Sequence, residues 1–138
     1  MRHFVVTVLF VLATINYSCL QSSSSSNSIV EVVTAEEMKE LTQLEGVQLV
    51  DVRTPKEYED GHISNAQNID YMSPDFEKQI ENLDKTKPIV VYCKKGGRSE
   101  KCAEKLEDAG FVKIYDFKGG VAKWKYNGFE LESGKGTP

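Results

Sequence analysis

The feature that most constrains the fold of this sequence is a regular alternation of short apolar runs with helix-start signals. Five runs have the length of strands, the first and third of them being weaker candidates: residues 29–33, 47–52, 66–69, 89–92 and 112–117. The run at 89–92 is apolar throughout, which predicts a central strand. The alternation of polar and apolar residues at 112–117 predicts a less buried one.

Helix-start signals separate these runs. Thr34 with Glu37, and Thr54 with Glu57, form capping-box patterns, in which a side chain and the backbone satisfy each other's hydrogen bonds. Five helices are predicted in all: one from Thr34, one from Thr54 with Pro55 at its first position, one over residues 75–83 behind Ser73-Pro74, one from Arg98 or Ser99 to Gly110, and one over residues 121–126.

Strands that alternate with helices indicate an α/β fold. The prediction is a small parallel β-sheet of about five strands flanked by helices on both faces. In such sheets, ligand sites lie beyond the carboxyl ends of the strands. The residues that follow each predicted strand are therefore the candidates for a functional site.

Both ends of the chain are predicted to lie outside the folded domain, which is expected over residues 29–133. A basic start and an apolar run over residues 4–15 suit a signal peptide (1–18), because a membrane-spanning helix needs roughly 20 apolar residues. Cys19 follows directly as the first residue of a serine-rich tether (19–28). This arrangement resembles the lipidation site of bacterial lipoproteins. A plain signal peptide and an uncleaved anchor are the alternatives. Residues 134–138 are expected to fray.

These features predict an exported protein, either periplasmic or a membrane-anchored lipoprotein of a bacterial envelope, whose contact with the membrane is limited to that lipid anchor. The formal net charge of -4 gives no reason to expect nucleic-acid binding, which usually shows as a strongly basic face.

A local reversal of charge surrounds one cysteine. Cys93 ends the apolar run at 89–92, and the loop that follows contains Lys94, Lys95, Gly96, Gly97 and Arg98 before a helix begins near Ser99. Glycines allow successive backbone N–H groups to point inward as an anion nest, and the start of a helix adds unpaired donors. These donors and the cations favour a thiolate, so the pKa of Cys93 should fall. The arrangement predicts a nucleophile rather than a buried structural cysteine.

Ordered motifs run through the predicted domain: Asp51-Val52-Arg53-Thr54-Pro55-Lys56-Glu57-Tyr58, Gly61-His62-Ile63, Ala66-Gln67-Asn68-Ile69, Cys93-Lys94-Lys95-Gly96-Gly97-Arg98-Ser99, Gly110-Phe111 and Gly119-Gly120-Val121-Ala122-Lys123-Trp124. Together they resemble rhodanese-like domains over about residues 29–133. The resemblance implies a small parallel-sheet domain that transfers sulfane sulfur through a cysteine persulfide. It implies Cys93 as the catalytic residue and residues 94–99 as the active-site loop, with no cofactor.

The spacing of the loop separates two chemistries. Arg98 follows Cys93 in a Cys-x4-Arg pattern, one residue shorter than the Cys-x5-Arg loop of tyrosine phosphatases and of the cell-cycle phosphatases that share the rhodanese fold. The shorter loop suits a single sulfur atom better than a tetrahedral phosphate. The expected partners are a small anionic sulfur donor, such as thiosulfate, and a cyanide or thiol acceptor. By resemblance, the cationic loop favours thiosulfate or an inorganic persulfide over mercaptopyruvate.

Other residues that could carry chemistry are interpreted structurally. Cys102 is separated from Cys93 by nine residues, roughly 13 Å of helix, whereas a disulfide needs Cα atoms within about 7 Å. Asp51 and Arg53 either line the rim of the cleft or form a structural ion pair or turn contact, and the second interpretation is preferred. His62 is expected to be structural, and Trp124 to pack the last helix on the sheet. No cluster has the spacing of metal ligands.

Two functions remain open at this point. The leading hypothesis is a thiosulfate sulfurtransferase-like enzyme. The alternative is a non-catalytic or carrier module in the cell envelope that binds a protein partner or delivers sulfur to it. The intact Cys93 loop argues against a module without sulfur chemistry, but not against a dedicated carrier.

Overall fold

A computed structural model describes residues 28–134 of the chain. Within this range the strands are β1 (Val30–Val32), β2 (Gln48–Asp51), β3 (Gln67–Asn68), β4 (Ile89–Tyr92) and β5 (Ile114–Phe117). The helices are α1 (Ala35–Leu41), α2 (Pro55–Glu59), α3 (Phe76–Ile80), α4 (Gly97–Asp108) and α5 (Gly120–Tyr126). Strands and helices alternate along the chain, as predicted.

The five strands form one sheet in the order β1-β5-β4-β2-β3, and all paired strands are parallel. The strand β4 occupies the centre, where Val91 pairs with Val50 of β2 on one side and with Asp116 of β5 on the other. The predicted parallel α/β fold and the central position of β4 are therefore confirmed. Every residue of β4 is buried because the sheet is covered on both faces.

Two hydrophobic clusters lie on opposite faces of the sheet. One joins α3 and α4 to the sheet and includes Ile89, Val91 and Cys93, and the other joins α1, α2 and α5 to it and includes Val90 and Tyr92. The alternation of side chains along a strand produces this division. Cys93 therefore belongs to the face that carries α3 and α4.

Local capping signals place the first two helices accurately. Thr34 and Glu37 form a complete capping box at α1, and Thr54 and Glu57 form another at α2, with Pro55 as the first helical residue. The helix α4 begins at Gly97, one residue before the predicted range, and ends before Gly110, whose φ is +89°. A positive φ favours glycine just beyond the end of a helix.

Two sequence predictions are wrong in detail. The third helix spans Phe76–Ile80 rather than residues 75–83: it starts one residue late, after a turn in which Ser73 Oγ accepts a hydrogen bond from the Asp75 amide, and it ends three residues early. The strand β5 is more buried than its alternation suggests: it lies between β1 and β4, and three of its four residues are buried, Asp116 among them, while Tyr115 is partly exposed. The polar residue in the predicted run, Asp116, is therefore no sign of exposure, because its carboxyl group is itself buried.

The predicted signal peptide, Cys19, nearly all of the tether and the last four residues lie outside the described range. Across residues 28–134, no helix has the length and apolar composition needed to cross a membrane.

Candidate active site

Cys93 lies directly after the central strand, at the carboxyl edge of the sheet, and only 2 % of its surface is exposed. The chain then turns through Gly96, whose φ of 104° favours glycine, into α4. A Cβ at Gly96 would lie 2.2 Å from the carbonyl oxygen of Lys118, so only glycine fits. Gly97 is the first residue of α4 and has open space around it. One glycine, rather than the two expected, therefore shapes the turn.

Main-chain amides surround the sulfur of Cys93. The Gly96 N–H donates to Sγ over 3.0 Å, and the amides of Lys95, Arg98 and Ser99 lie near enough to favour negative charge on the sulfur. Burial raises the pKa of the Cys93 thiol, but these four amides together outweigh it and leave the pKa below its usual value. The geometry is that of a nest for an anion on sulfur.

The start of α5 supports the loop from behind. The Val121 N–H donates to the Cys93 carbonyl over 3.0 Å, and the Ala122 N–H donates to the Lys94 carbonyl over 3.1 Å. This approach requires glycine at position 120, where φ is +56° and a Cβ would lie 2.3 Å from the Cys93 carbonyl oxygen. The sequence interpretation gave Gly119-Gly120 no role in the site. The available signal was a glycine pair immediately before a helix, which indicates a close backbone approach.

The guanidinium of Arg98 does not stand free at the rim of the loop. Its Nη1 and Nη2 donate to the two carboxylate oxygens of Glu57 at 2.7 and 2.8 Å. This pair lowers the pKa of Glu57 to about 2 and raises the pKa of Arg98. The expectation that Arg98 adds unpaired positive charge beside Lys94 and Lys95 is therefore corrected, although its amide does face the sulfur. Sequence reasoning assigned Glu57 only to the cap of α2.

Lys94 and Lys95 are exposed on the loop. A cleft of about 370 Å³ opens beside Lys94, between α2 and α5. Its lining carries both signs of charge and some apolar surface: Arg53, Glu57, Asp60, Gly61, Lys94, Val121, Ala122, Lys125 and Leu131. The cleft is of a size that holds small organic molecules.

Asp51 and Arg53 form a buried ion pair. Arg53 Nε and Nη2 donate to the Asp51 carboxylate at distances from 2.6 to 3.0 Å, and Nη2 also donates to the Gly61 carbonyl over 2.7 Å. Burial opposes the charge on Arg53, but Asp51 more than compensates and raises the pKa of Arg53. Asp51 has no exposed surface and so does not reach the rim, whereas Arg53 contributes to the wall of the cleft. The preferred interpretation, a structural ion pair, matches this geometry.

Three further side chains occupy the structural positions expected of them. Cys102 is buried in α4 and is a free thiol, as is Cys93. His62 is buried, stacks on Tyr58 with ring centroids 3.8 Å apart, and lies 3.0 Å through Nδ1 from the Tyr58 carbonyl. Trp124 packs edge-on against Phe117 of β5 and so fixes α5 to the sheet.

Asp116 is a buried acid beneath the loop that sequence reasoning did not single out. It lies on β5 beside Ser99 in the first turn of α4, and its Oδ1 has no hydrogen-bond partner among the described residues. Burial raises the pKa of Asp116. The polar residue within an otherwise apolar strand was the signal for it.

Comparison with known proteins agrees with this geometry. The sequence model of the rhodanese-like domain matches residues 34–127. An uncharacterised protein, YqhL of Bacillus subtilis, is 36% identical over 118 residues, which cover 85% of this chain and 90% of that one. The thiosulfate sulfurtransferase GlpE of Coxiella burnetii is 35% identical over 86 residues, 62% of this chain and 78% of that one.

A solved structure shows the same fold. The Alr3790 protein from an Anabaena species superposes with a TM-score of 0.67 at 28% identity, covering 74% of this chain and 92% of that one. A cysteine loop at the carboxyl edge of a five-stranded parallel sheet, with helices on both faces, defines a class of α/β domains. Within that class, this chain belongs to the rhodanese-like domain family, and its relatives place it among sulfurtransferases.

Proposed function

We propose that this protein is a sulfurtransferase that moves sulfane sulfur from thiosulfate or a related anionic donor to a cyanide or thiol acceptor, through a persulfide on Cys93. The observation that carries the proposal is the hydrogen bond from the Gly96 N–H to Sγ at 3.0 Å, supported by the amides of Lys95, Arg98 and Ser99, which also lower the pKa of Cys93. Such a set of amides stabilises a thiolate before the reaction and a persulfide anion after it.

The reaction proceeds in two balanced steps. The Cys93 thiolate attacks the outer sulfur of thiosulfate, a sulfur–sulfur bond forms to Sγ, and the bond to the sulfonate sulfur breaks with its electron pair, releasing sulfite. The acceptor then attacks the outer sulfur of the persulfide, which restores the thiolate and yields thiocyanate from cyanide or a new persulfide from a thiol. No net oxidation takes place, and the covalent intermediate divides one transfer into two easier steps.

The exposed cations of the loop assist the approach of the donor. Lys94 and Lys95 carry the exposed positive charge of the loop, since Arg98 is paired with Glu57. Attraction of a dianion by such charges raises its local concentration and weakens as salt is added. Inorganic thiosulfate therefore fits the entrance to the site better than a neutral donor.

Mass spectrometry of the intact protein after thiosulfate treatment tests the proposal. The wild-type chain should gain the mass of one sulfur atom on Cys93 and lose it when cyanide is added, and Cys93→Ala should gain none. Cys102→Ala is the matched control, because it removes the other thiol of the described range and should still take up one sulfur. Failure of the wild-type chain to gain sulfur from thiosulfate, inorganic persulfide or polysulfide would contradict the proposal.

We also propose that the protein is exported and that Cys19 is lipidated. The support is the sequence pattern of residues 1–28 alone. Labelling of expressing cells with a palmitate analogue should mark the wild-type chain and leave Cys19→Ser unmarked. Equal labelling of the wild-type chain and of Cys19→Ser would contradict the proposed lipidation of Cys19.

A further inference from the structure

The Arg98–Glu57 pair is the feature of the site that sulfur transfer itself does not explain. An amide nest at a helix N-terminus with an arginine beside it is a ready site for phosphate or sulfate. Those anions share the charge and the tetrahedral sulfonate-like shape of thiosulfate but carry no sulfane sulfur. The loop is one residue shorter than a phosphatase loop, but its amides and its arginine would still attract these anions in competition with the donor unless something lowered its affinity for them.

Glu57 holds the guanidinium by both oxygens, at 2.7 and 2.8 Å, and its Oε2 also accepts from the Thr54 amide over 3.1 Å. The same carboxylate therefore caps α2 and cancels the charge of Arg98. The two side chains are about a quarter to a third exposed, so the pair stands at the mouth of the loop rather than in the core.

The loop does not need this pair to keep its shape. The carbonyls of Cys93 and Lys94 are held by the start of α5, and the Gly96 carbonyl accepts from both the Ser99 hydroxyl and the Glu100 amide. The helix α4 is fixed by side chains buried against the sheet, among them Cys102 and Leu106. Because the amides are already fixed, the pair acts mainly on charge.

We propose that Glu57 is a specificity-determining residue that neutralises Arg98 and so keeps inorganic oxyanions such as phosphate from occupying the active-site loop. This inference rests on the proposed function, since it concerns anions that compete with the sulfur donor. Glu57 acts through Arg98 and not on the reacting atoms, which makes it a positioning residue.

The test measures how well inorganic phosphate protects Cys93 from iodoacetamide, with the modified protein followed by intact mass. Glu57→Gln keeps the shape of the side chain and its acceptor for the Thr54 amide but removes the negative charge. Phosphate should then bind roughly fivefold more tightly than to the wild type, a size typical of one uncancelled charge near the protein surface. In the transfer assay, phosphate should inhibit Glu57→Gln at a roughly fivefold lower concentration than it inhibits the wild type.

Two further variants separate charge from structure. Glu57→Gln combined with Arg98→Gln removes both charges and should return phosphate affinity to that of the wild type. Glu37→Gln is the matched control, because Glu37 completes the same type of capping box on α1 without an arginine partner. It should leave phosphate affinity unchanged.

An unchanged phosphate affinity in Glu57→Gln would overturn the proposal, and so would a gain that persists in the double variant, since the gain would then come from a loosened loop. The readout uses the unmodified thiol and needs no sulfur transfer. Absence of sulfur loading in the wild type would therefore contradict the proposed function without changing the comparison of phosphate affinities.

Discussion

At the scale of the residue, the thiols of Cys93 and Cys102 have pKa values shifted in opposite directions, although only nine positions separate them. Cys93 and Cys102 are both buried, and burial raises the pKa of both thiols. Around Cys93 four amides more than offset that effect, whereas around Cys102 the nearby Asp116 adds to it and the pKa rises to about 12. Reactivity is therefore set by the backbone around the sulfur rather than by exposure.

This contrast predicts selective alkylation. In the folded protein at neutral pH, iodoacetamide should modify Cys93 at least about tenfold faster than Cys102, because the pKa of Cys93 is lowered while that of Cys102 is about 12, and the lower nucleophilicity of a low-pKa thiolate offsets only part of that advantage. Peptide mapping after a timed reaction measures both rates and keeps Cys19 separate. After denaturation in urea the two rates should become equal. Comparable rates in the native state would show that the amides do not stabilise the thiolate.

At the scale of the element, the parts of the structure that follow from neighbours in sequence were predictable and the others were not. The capping boxes at Thr34 and Thr54 located α1 and α2 because the cap and the helix lie within four residues. The support of the Cys93 loop by α5 depends on a contact between positions 93 and 121, and nothing local to either segment specifies it. The placement of Cys93 at the end of a strand could be predicted from the sequence, but the elements that support its loop could not.

Gly120 allows a direct test of that support. Gly120→Ala should lower the free energy of unfolding by roughly 2–4 kcal/mol, the sum of a left-handed alanine and a forced backbone contact, and should reduce sulfur loading. Gly128→Ala is the matched control, because its φ is also positive, at +77°, while a Cβ there has open space. It should cost about 1 kcal/mol and leave loading intact. Urea unfolding and mass spectrometry measure the two effects, and equal losses in both variants would show that the loop tolerates the contact.

At the scale of the whole molecule, the pair between Glu57 and Arg98 joins residues 41 apart and connects the start of α2 to the start of α4. The sequence showed a capping glutamate and a loop arginine but gave no reason to bring them together, because their proximity depends on the order of strands β2 and β4 in the sheet. The residues of the candidate site could thus be predicted from the sequence, but the neutralisation of Arg98 by Glu57 could not.

This pair predicts part of the acid sensitivity of the fold. The pKa of Glu57 is about 2 in the folded protein and 4.5 in its ordinary state, so between these pH values the unfolded chain binds more protons. The stabilisation is fully present above pH 4.5 and is lost as the pH falls through about 2. Urea midpoints should therefore show Glu57→Gln less stable than the wild type at pH 6 and equal to it near pH 2. A constant difference at both pH values would mean that the charge of Glu57 contributes nothing to stability.

The central position of β4 has a consequence for how the protein opens. The strand that leads into Cys93 is hydrogen-bonded on both sides and covered on both faces, so fraying at an edge of the sheet does not release it. Amide protons of β4 should exchange with solvent deuterium only when the entire domain unfolds, and those of the terminal strands β1 and β3 much sooner. The loop that follows Cys93 is thus anchored to the segment of the domain that is expected to open least often.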